Sequence, residues 1–175
     1  MRIVAGSARG RRIEAPPGTG TRPTSDRVRE AVFNALGSLG AVVGAGVLDL
    51  FAGSGAMGLE ALSRGAAHAT FVDADRRALA VVRANAERLG LADRISVVRA
   101  DALAYLAGAP AADLALCDPP YAFDRWDELL AALDARVAVL ESDREVHLPA
   151  PWTSPGPRRY GGTVVVIAQR PDPPE

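Results

Sequence analysis

A chain of 175 residues with 49% apolar content is long enough for one well-buried core and too apolar for wholesale disorder. A single cysteine, Cys117, excludes an internal disulfide, and neither histidine belongs to a ligand cluster, so no structural metal is expected. The net charge of −1 is uneven: residues 1–30 carry seven arginines against three acids, which leaves the rest of the chain acidic. A basic segment on an acidic body points to a polyanionic partner, against the blander reading of a solvated tail. The opening "MRIVAGSARGRR" lacks the apolar core of a secretory signal, and "VVVIA" is far too short to span a bilayer. A cytoplasmic protein with no membrane association is expected.

Residues 1–23 are rich in Gly, Pro and Arg and read as a basic extension, a hairpin or loop ahead of a domain over 24–175. "TSDRVREAVFNALGSLG" reads as a helix, with Thr24 or Ser25 as cap and Asp26 in the first turn. Its apolar stripe is Val28, Ala31, Val32, Ala35, Leu36 and Leu39, which leaves Arg27 and Arg29 on the exposed side. Strand and helix then alternate. Strands are expected at 46–52, 69–74, 95–100, 113–117, 136–142 and 162–169. Helices are expected in "MGLEALSR", "DRRALAVVRANAERLG", "DALAYLA" and "DRWDELLAALDA", with Gly65 and Gly90 closing the first two. Near-continuous apolar strands alternating with helices specify an α/β fold, a mostly parallel sheet covered on both faces.

Ligands of such sheets bind beyond the carboxyl ends of the strands. The chemistry-bearing residues fall there. Asp49 and "FAGSGAMG" follow the first strand, Asp73 ends the second, Asp101 follows the third, and "DPPY" follows the fourth. "GSGAMG" matches G-x-G-x-x-G, and Asp73 stands twenty residues after Gly53, where an acid can accept both ribose hydroxyls. The pattern describes an adenine nucleoside with an anionic end, and taken alone it also fits NAD and an oxidoreductase. Asp49 tilts the choice. A carboxylate inside the strand end would repel a pyrophosphate and would suit a ligand carrying an ammonium and a sulfonium, S-adenosylmethionine.

"DPPY" then has a function. An exocyclic base amine is a poor nucleophile because its lone pair is delocalised into the ring. Two acceptors on its N–H groups favour the pyramidal amine and free that pair. Asp118 offers a carboxylate and Pro119 a carbonyl, and the Pro119–Pro120 corner fixes the carbonyl without adding a donor. Tyr121 can stack on a base turned out of its helix or loop. The bland reading is a strand-ending turn. The motif by itself does not separate guanine N2 from adenine N6, nor RNA from DNA.

"DLFAGSGAMGLEALSRGA" and "DPPY" resemble the class I, Rossmann-like amino-methyltransferases. The N-terminal "RIVAGSARGRRIEAP…RPTSDRVREAVFNAL" closely resembles the RsmD family, which methylates the exocyclic N2 of a guanine in 16S, small-subunit ribosomal RNA. The resemblance implies a seven-stranded sheet, six strands parallel and the last antiparallel, with S-adenosylmethionine as methyl donor. It implies Gly53, Gly55, Asp49 and Asp73 as cofactor residues, Asp101 and Ala102 at the adenine, and Thr24 beside the methionine end. Asp118, Pro119, Pro120 and Tyr121 match the catalytic motif, and Arg9, Arg11, Arg12 and Arg22 would contact RNA. The implied partner is 16S ribosomal RNA or the assembling small subunit; a monomer is the default expectation.

Other residues carry blander expectations. His68 and His147 read as solvated loop residues, Cys117 as a buried structural thiol, and Trp126 as core. Trp152 fits an RNA-stacking residue or a loop anchor equally, and Glu141 fits an active-site support or a turn cap.

Overall fold

The computed structural model describes residues 1–18 and 24–171. Seven strands form a single sheet: β1 (Gly46–Leu50), β2 (His68–Asp73), β3 (Ile95–Arg99), β4 (Ala112–Cys117), β5 (Ala135–Ser142), β6 (Arg158–Tyr160) and β7 (Thr163–Gln169). Their order across the sheet is β3-β2-β1-β4-β5-β7-β6. β1 to β5 pair in parallel, and β7 runs antiparallel between β5 and β6. The expected sheet is therefore present. Its seventh member, β6, has three residues, "RRY", with no apolar pattern to announce it.

Among the described residues, five α-helices cover the sheet: α1 (Asp26–Ser38), α2 (Ala56–Ser63), α3 (Arg76–Leu89), α4 (Ala102–Leu106) and α5 (Trp126–Ala132). Apolar residues of α1, α2 and α3 share one core cluster with Val47, Leu114 and Val139. Those of α4 and α5 share a second with Leu48, Ala115 and Leu140. Successive strand residues serve opposite faces, which is why these strands read as unbroken apolar runs. No helix among the described residues is long and apolar enough to cross a membrane.

Local signals set the helix ends. Ser25 caps α1, its hydroxyl accepting from the Val28 N–H at 3.2 Å, and Asp75 caps α3, accepting from Arg77 N–H at 2.8 Å. Gly90 closes α3 with φ +72°. α1 ends before Leu39, which is 46% exposed, and Phe33 takes the buried place on the stripe.

Arg29 overturns the reading of α1 as having an arginine-bearing outer face. It is wholly buried, while Arg27 is exposed. The cause is tertiary. Glu60 on α2 is also fully buried, and its carboxylate faces Arg29 Nε at 3.3 Å and Arg64 Nε at 2.9 Å. The same carboxylate accepts from the N–H groups of Val4 (2.9 Å) and Ala5 (3.0 Å), and Arg29 also donates to the Arg2 carbonyl. One buried ion pair thus pins the N-terminal segment, α1 and α2 together.

The N-terminal segment packs into the body. Ile3, Ala8 and Ile13 are buried in the α1–α3 cluster, and Arg2 and Arg12 pair across a short antiparallel bridge. Gly6 makes the approach possible: a Cβ there would lie 1.8 Å from the Ser63 carbonyl oxygen. We expect Glu60→Ala to leave buried Arg29 with only the half-exposed Asp26 carboxylate at 2.8 Å, to strip the Val4 and Ala5 N–H groups of their acceptor, and to lower stability by about 3 kcal/mol in urea denaturation. A loss below about 1 kcal/mol would show that the pair is not what holds this corner.

Candidate active site

The strand order reverses between β1 and β4, so connections leave these two strands in opposite directions and a crevice opens beyond their carboxyl ends. A cavity of about 1010 Å³ occupies that crevice. It is lined by Asp49, Gly53, Ser54, Asp73, Asp101, Ala102 and Thr24, and by Asp118, Pro119, Pro120 and Tyr121. The residues singled out as cofactor and catalytic candidates therefore meet in one place, with one exception. Gly55 does not line the cavity. It is the N-cap of α2 behind the turn, held at φ +79°, where an added Cβ would press on Phe71 and Val82 at 3.2 Å.

Each acid has a defined setting. Asp73 accepts the Gly53 N–H at 2.9 Å through one oxygen and the Asp75 N–H at 2.8 Å through the other. Both oxygens keep a lone pair for further donors, as a vicinal diol requires. Asp101 caps α4, accepting from Ala104 N–H at 3.0 Å, and is exposed at the cavity rim beside buried Ala102. Asp49 is 3% exposed, and its carboxylate accepts the Gly58 N–H at 2.9 Å. Gly58 is required there: a Cβ would lie 2.4 Å from the Phe71 ring and 3.0 Å from Asp49 Oδ2. Burial pushes the Asp49 carboxyl up to about 8, the Gly58 N–H opposing and the nearby Asp73 charge adding to the rise.

Asp118 follows β4, Pro119 is buried, and Pro120 and Tyr121 are exposed at the mouth. The Phe123 N–H takes the Pro120 carbonyl at 2.8 Å, so the carbonyl engaged in the turn is not the one assigned to the amine. Burial holds the Asp118 carboxyl well above the ordinary carboxylate range, with the Glu141 and Asp49 charges adding to it. The Thr24 hydroxyl, 3.4 Å from Asp118 Oδ2, pulls the other way only when its proton is turned to Asp118.

Several contributors escaped the sequence reading. Phe51 carries φ +59°, a left-handed conformation costly for a bulky side chain, at the bend between β1 and the glycine turn. Its ring meets Phe123 edge-on at 5.3 Å, and Phe123 meets Trp126 at 5.3 Å, which makes an aromatic wall along the cavity. Met1, Ala15 and Pro16 line the cavity from the N-terminal segment. Glu141, which the sequence left between active-site support and turn cap, is buried at the end of β5 and accepts from the Thr24 hydroxyl at 2.8 Å. Thr24 lines the cavity, and its proton is directed at Glu141.

Of the other candidates, Trp152 is a loop anchor: it is buried, donates to the Leu130 carbonyl at 3.1 Å, and lies under Arg170. Trp126 is core. His68 opens β2 and is paired with Ser96 at 2.9 Å instead of standing solvated in a turn, while His147 is exposed in a loop. Cys117 is buried, and burial together with the Asp49 and Asp118 charges holds its thiol above the usual range, which suits an inert structural residue. Arg9, Arg11 and Arg12 are exposed, with Arg11 donating to the Arg88 carbonyl. Arg22 lies outside the described residues.

The cavity's charge decides which nucleotide-like group fits. Its described lining includes five aspartates (49, 73, 75, 101 and 118) and no arginine. A pyrophosphate would enter against these carboxylates, whereas a ligand bearing an ammonium and a sulfonium is attracted by them. The fold and this site define a Rossmann-like methyltransferase of the kind that uses S-adenosylmethionine.

The comparisons with known proteins agree and narrow the class. Residues 1–169 match the family described as "Conserved hypothetical protein 95", and the chain belongs to it. It is 40% identical to "Ribosomal RNA small subunit methyltransferase D" of Escherichia coli over 85% of this chain and 78% of that protein. The protein of the same name from Haemophilus influenzae is 32% identical over 87% and 85%. Among solved structures, "Putative methyltransferase yhhF from Escherichia coli" superposes with a TM-score of 0.85 at 36% identity, covering 97% of both chains.

The Asp49 carboxyl gives a pH test. Its acid is raised from 3.8 in the unfolded chain to about 8 in the fold, so the folded state is favoured by the bound proton. That stability is fully present below pH 4 and is lost as pH rises from 4 through 8. We expect the melting temperature of the ligand-free protein to carry a downward component between about pH 4 and 8 that Asp49→Asn removes. Identical pH profiles for the two proteins would show that Asp49 ionises freely.

Proposed function

We propose that the protein transfers a methyl group from S-adenosylmethionine to the exocyclic N2 of a guanine in small-subunit (16S) ribosomal RNA. The observation that carries this reading is that half-buried Asp118 and buried Pro119 line the same cavity as Asp49, Gly53 and Asp73. Names of relatives supply the ribosomal RNA, and family resemblance supplies guanine N2.

The chain's own residues do three things. Asp73 takes the ribose hydroxyls while Gly53 N–H braces its carboxylate, and Asp101 and Ala102 border the adenine. Asp49 offsets the positive charge of the methionine end. Bound there, S-adenosylmethionine supplies an electrophilic methyl group on a positively charged sulfur. Asp118 and the Pro119 carbonyl accept from the two amine N–H groups, which localises the lone pair and aims it down the cavity. As the amine gains its methyl group, Asp118 takes the surplus proton: the N–H bond breaks, an O–H bond forms, and the electron pair stays on nitrogen. Tyr121, 43% exposed at the mouth, is free to stack on a base turned out of the RNA.

Arg9, Arg11 and Arg12 lie on the outer side of the segment whose inner side, at Ala15 and Pro16, walls the cavity. RNA phosphates on these arginines would bring a base to the mouth. We propose that the protein acts as a cytoplasmic monomer on 16S RNA or on the assembling small subunit.

In cells lacking the gene, mass spectrometry of ribosomal RNA nucleosides should show one N2-methylguanine missing; a lost N6-methyladenine instead would reassign the base. Asp118→Ala should cut single-turnover methyl transfer by about a hundredfold or more while cofactor affinity stays within a few fold. Equal loss of both would point to a structural role for Asp118. Arg11→Ala with Arg12→Ala should weaken RNA binding and flatten the log K against log salt slope by roughly one to two units. An unchanged slope would remove these arginines from the RNA contact.

A further inference from the structure

Glu141 has no part in the mechanism above, yet it is the side chain most tightly tied to it. The pleat explains its position. Asp49 follows Val47, Asp118 follows Leu116, and Glu141 follows Val139, each two residues beyond a core residue on the α1 face. β1, β4 and β5 are neighbours, so three acids project on one side of three adjacent strand ends. Thr24, just ahead of α1, reaches down between two of them. Its hydroxyl lies 2.8 Å from Glu141 Oε2 and 3.4 Å from Asp118 Oδ2.

The proton count in this cluster is short. A hydroxyl has one proton, and the shorter contact directs it at Glu141. The Thr24 oxygen is then an acceptor facing the Asp118 oxygen, which satisfies both atoms when Asp118 itself carries a proton. No arginine or histidine among the described residues makes an ion pair with Asp49, Asp118 or Glu141. The groups facing Asp118 are Glu141 from β5, Asp49 from β1, Thr24 ahead of α1 and the un-ionised Cys117 beside it, with Asp73 standing behind Asp49. All the charged ones are negative.

We propose that Glu141 is a positioning residue that, through the Thr24 hydroxyl, keeps a proton on Asp118 in the free protein and gives it up when the cationic methyl donor fills the cavity. The inference rests on the methyl-transfer reading. In the step, the Asp118 O–H bond breaks, the electron pair stays on oxygen, and the proton leaves to solvent. The carboxylate so formed is the acceptor that the amine requires. Asp118 is thereby uncharged while the cavity is empty and armed once the donor is in place. Burial raises both carboxyls and the Glu141 charge raises Asp118 further, which agrees with a proton held on Asp118.

The proton count needs no RNA. Calorimetric titration of the free protein with S-adenosylmethionine, in buffers of different ionisation enthalpy, counts the protons released on binding. Near neutral pH the wild-type protein should release protons, and more than with S-adenosylhomocysteine, whose sulfur is neutral. Glu141→Gln keeps an oxygen for the Thr24 hydroxyl and removes only the charge. Its release should shrink to the part owed to Asp49, and the acid limb of single-turnover transfer should move down by about one pH unit. Thr24→Val removes the oxygen that accepts the Asp118 proton and should move the limb the same way, with the Glu141 charge still in place. A purely structural Glu141 predicts no shift of the limb in either variant.

Equal proton release and a shared acid limb in wild type and Glu141→Gln would overturn the proposal. So would a Thr24→Val limb that stays in place, which keeps the test decisive should Glu141→Gln not fold. Failure of the functional reading looks different: no ribosomal RNA nucleoside changes in the deletion strain, whatever the calorimeter records.

Discussion

Three carboxyl groups, Asp49, Asp118 and Glu141, are buried or half-buried at neighbouring strand ends, and no cation among the described residues balances them. Buried like charges are costly in a medium that screens them poorly. The chain resolves the cost in two ways. Backbone and hydroxyl donors from Gly58 and Thr24 satisfy some of the oxygens, and bound protons remove charge. A cationic ligand is the remaining remedy, and the cavity beside the acids is where it would go. The arrangement that makes the ligand-free site uncomfortable is the one that makes it selective.

Topology places the acids. Reversal of strand order between β1 and β4 leaves a crevice, and parallel pairing brings Leu50 opposite Cys117, so the residues that follow them flank it. Phe51 bends away at φ +59° and opens the room that the glycine turn then borders. The Pro119–Pro120 corner ends pairing on the other side. β7, antiparallel beside β5, carries that strand through Ser142 and thereby brings Glu141 level with Asp118.

The N-terminal segment is bonded to the same machinery. Asn85 on α3 is fully buried and donates to the carbonyls of Glu14 and Ser54 at 2.9 Å each, while its oxygen accepts from Glu14 N–H. One side chain therefore joins the basic segment to the glycine turn. With Glu60 holding Val4 and Ala5, the arginine-bearing surface and the cavity wall form a single packed unit.

How much of this was legible in the sequence follows from which interactions are local. Apolar runs, the G-x-G-x-x-G spacing, the acid at the end of β2 and the Pro-Pro corner depend on neighbouring residues, so the linear pattern determined the α/β alternation, the start of α1 and the end of α3, and the strand ends that carry the site. Tertiary contact decided the rest. Arg29 lies off the apolar stripe of α1 and is buried because Glu60 meets it from another helix. β6 exists because β7 offers an edge, not because "RRY" prefers a strand. Glu141 carries no motif, and only the pairing of β5 with β4 and the reach of Thr24 bring it to Asp118. A charge buried by a distant partner leaves no periodic trace in sequence, since its burial is fixed by the element it meets and not by the residues beside it.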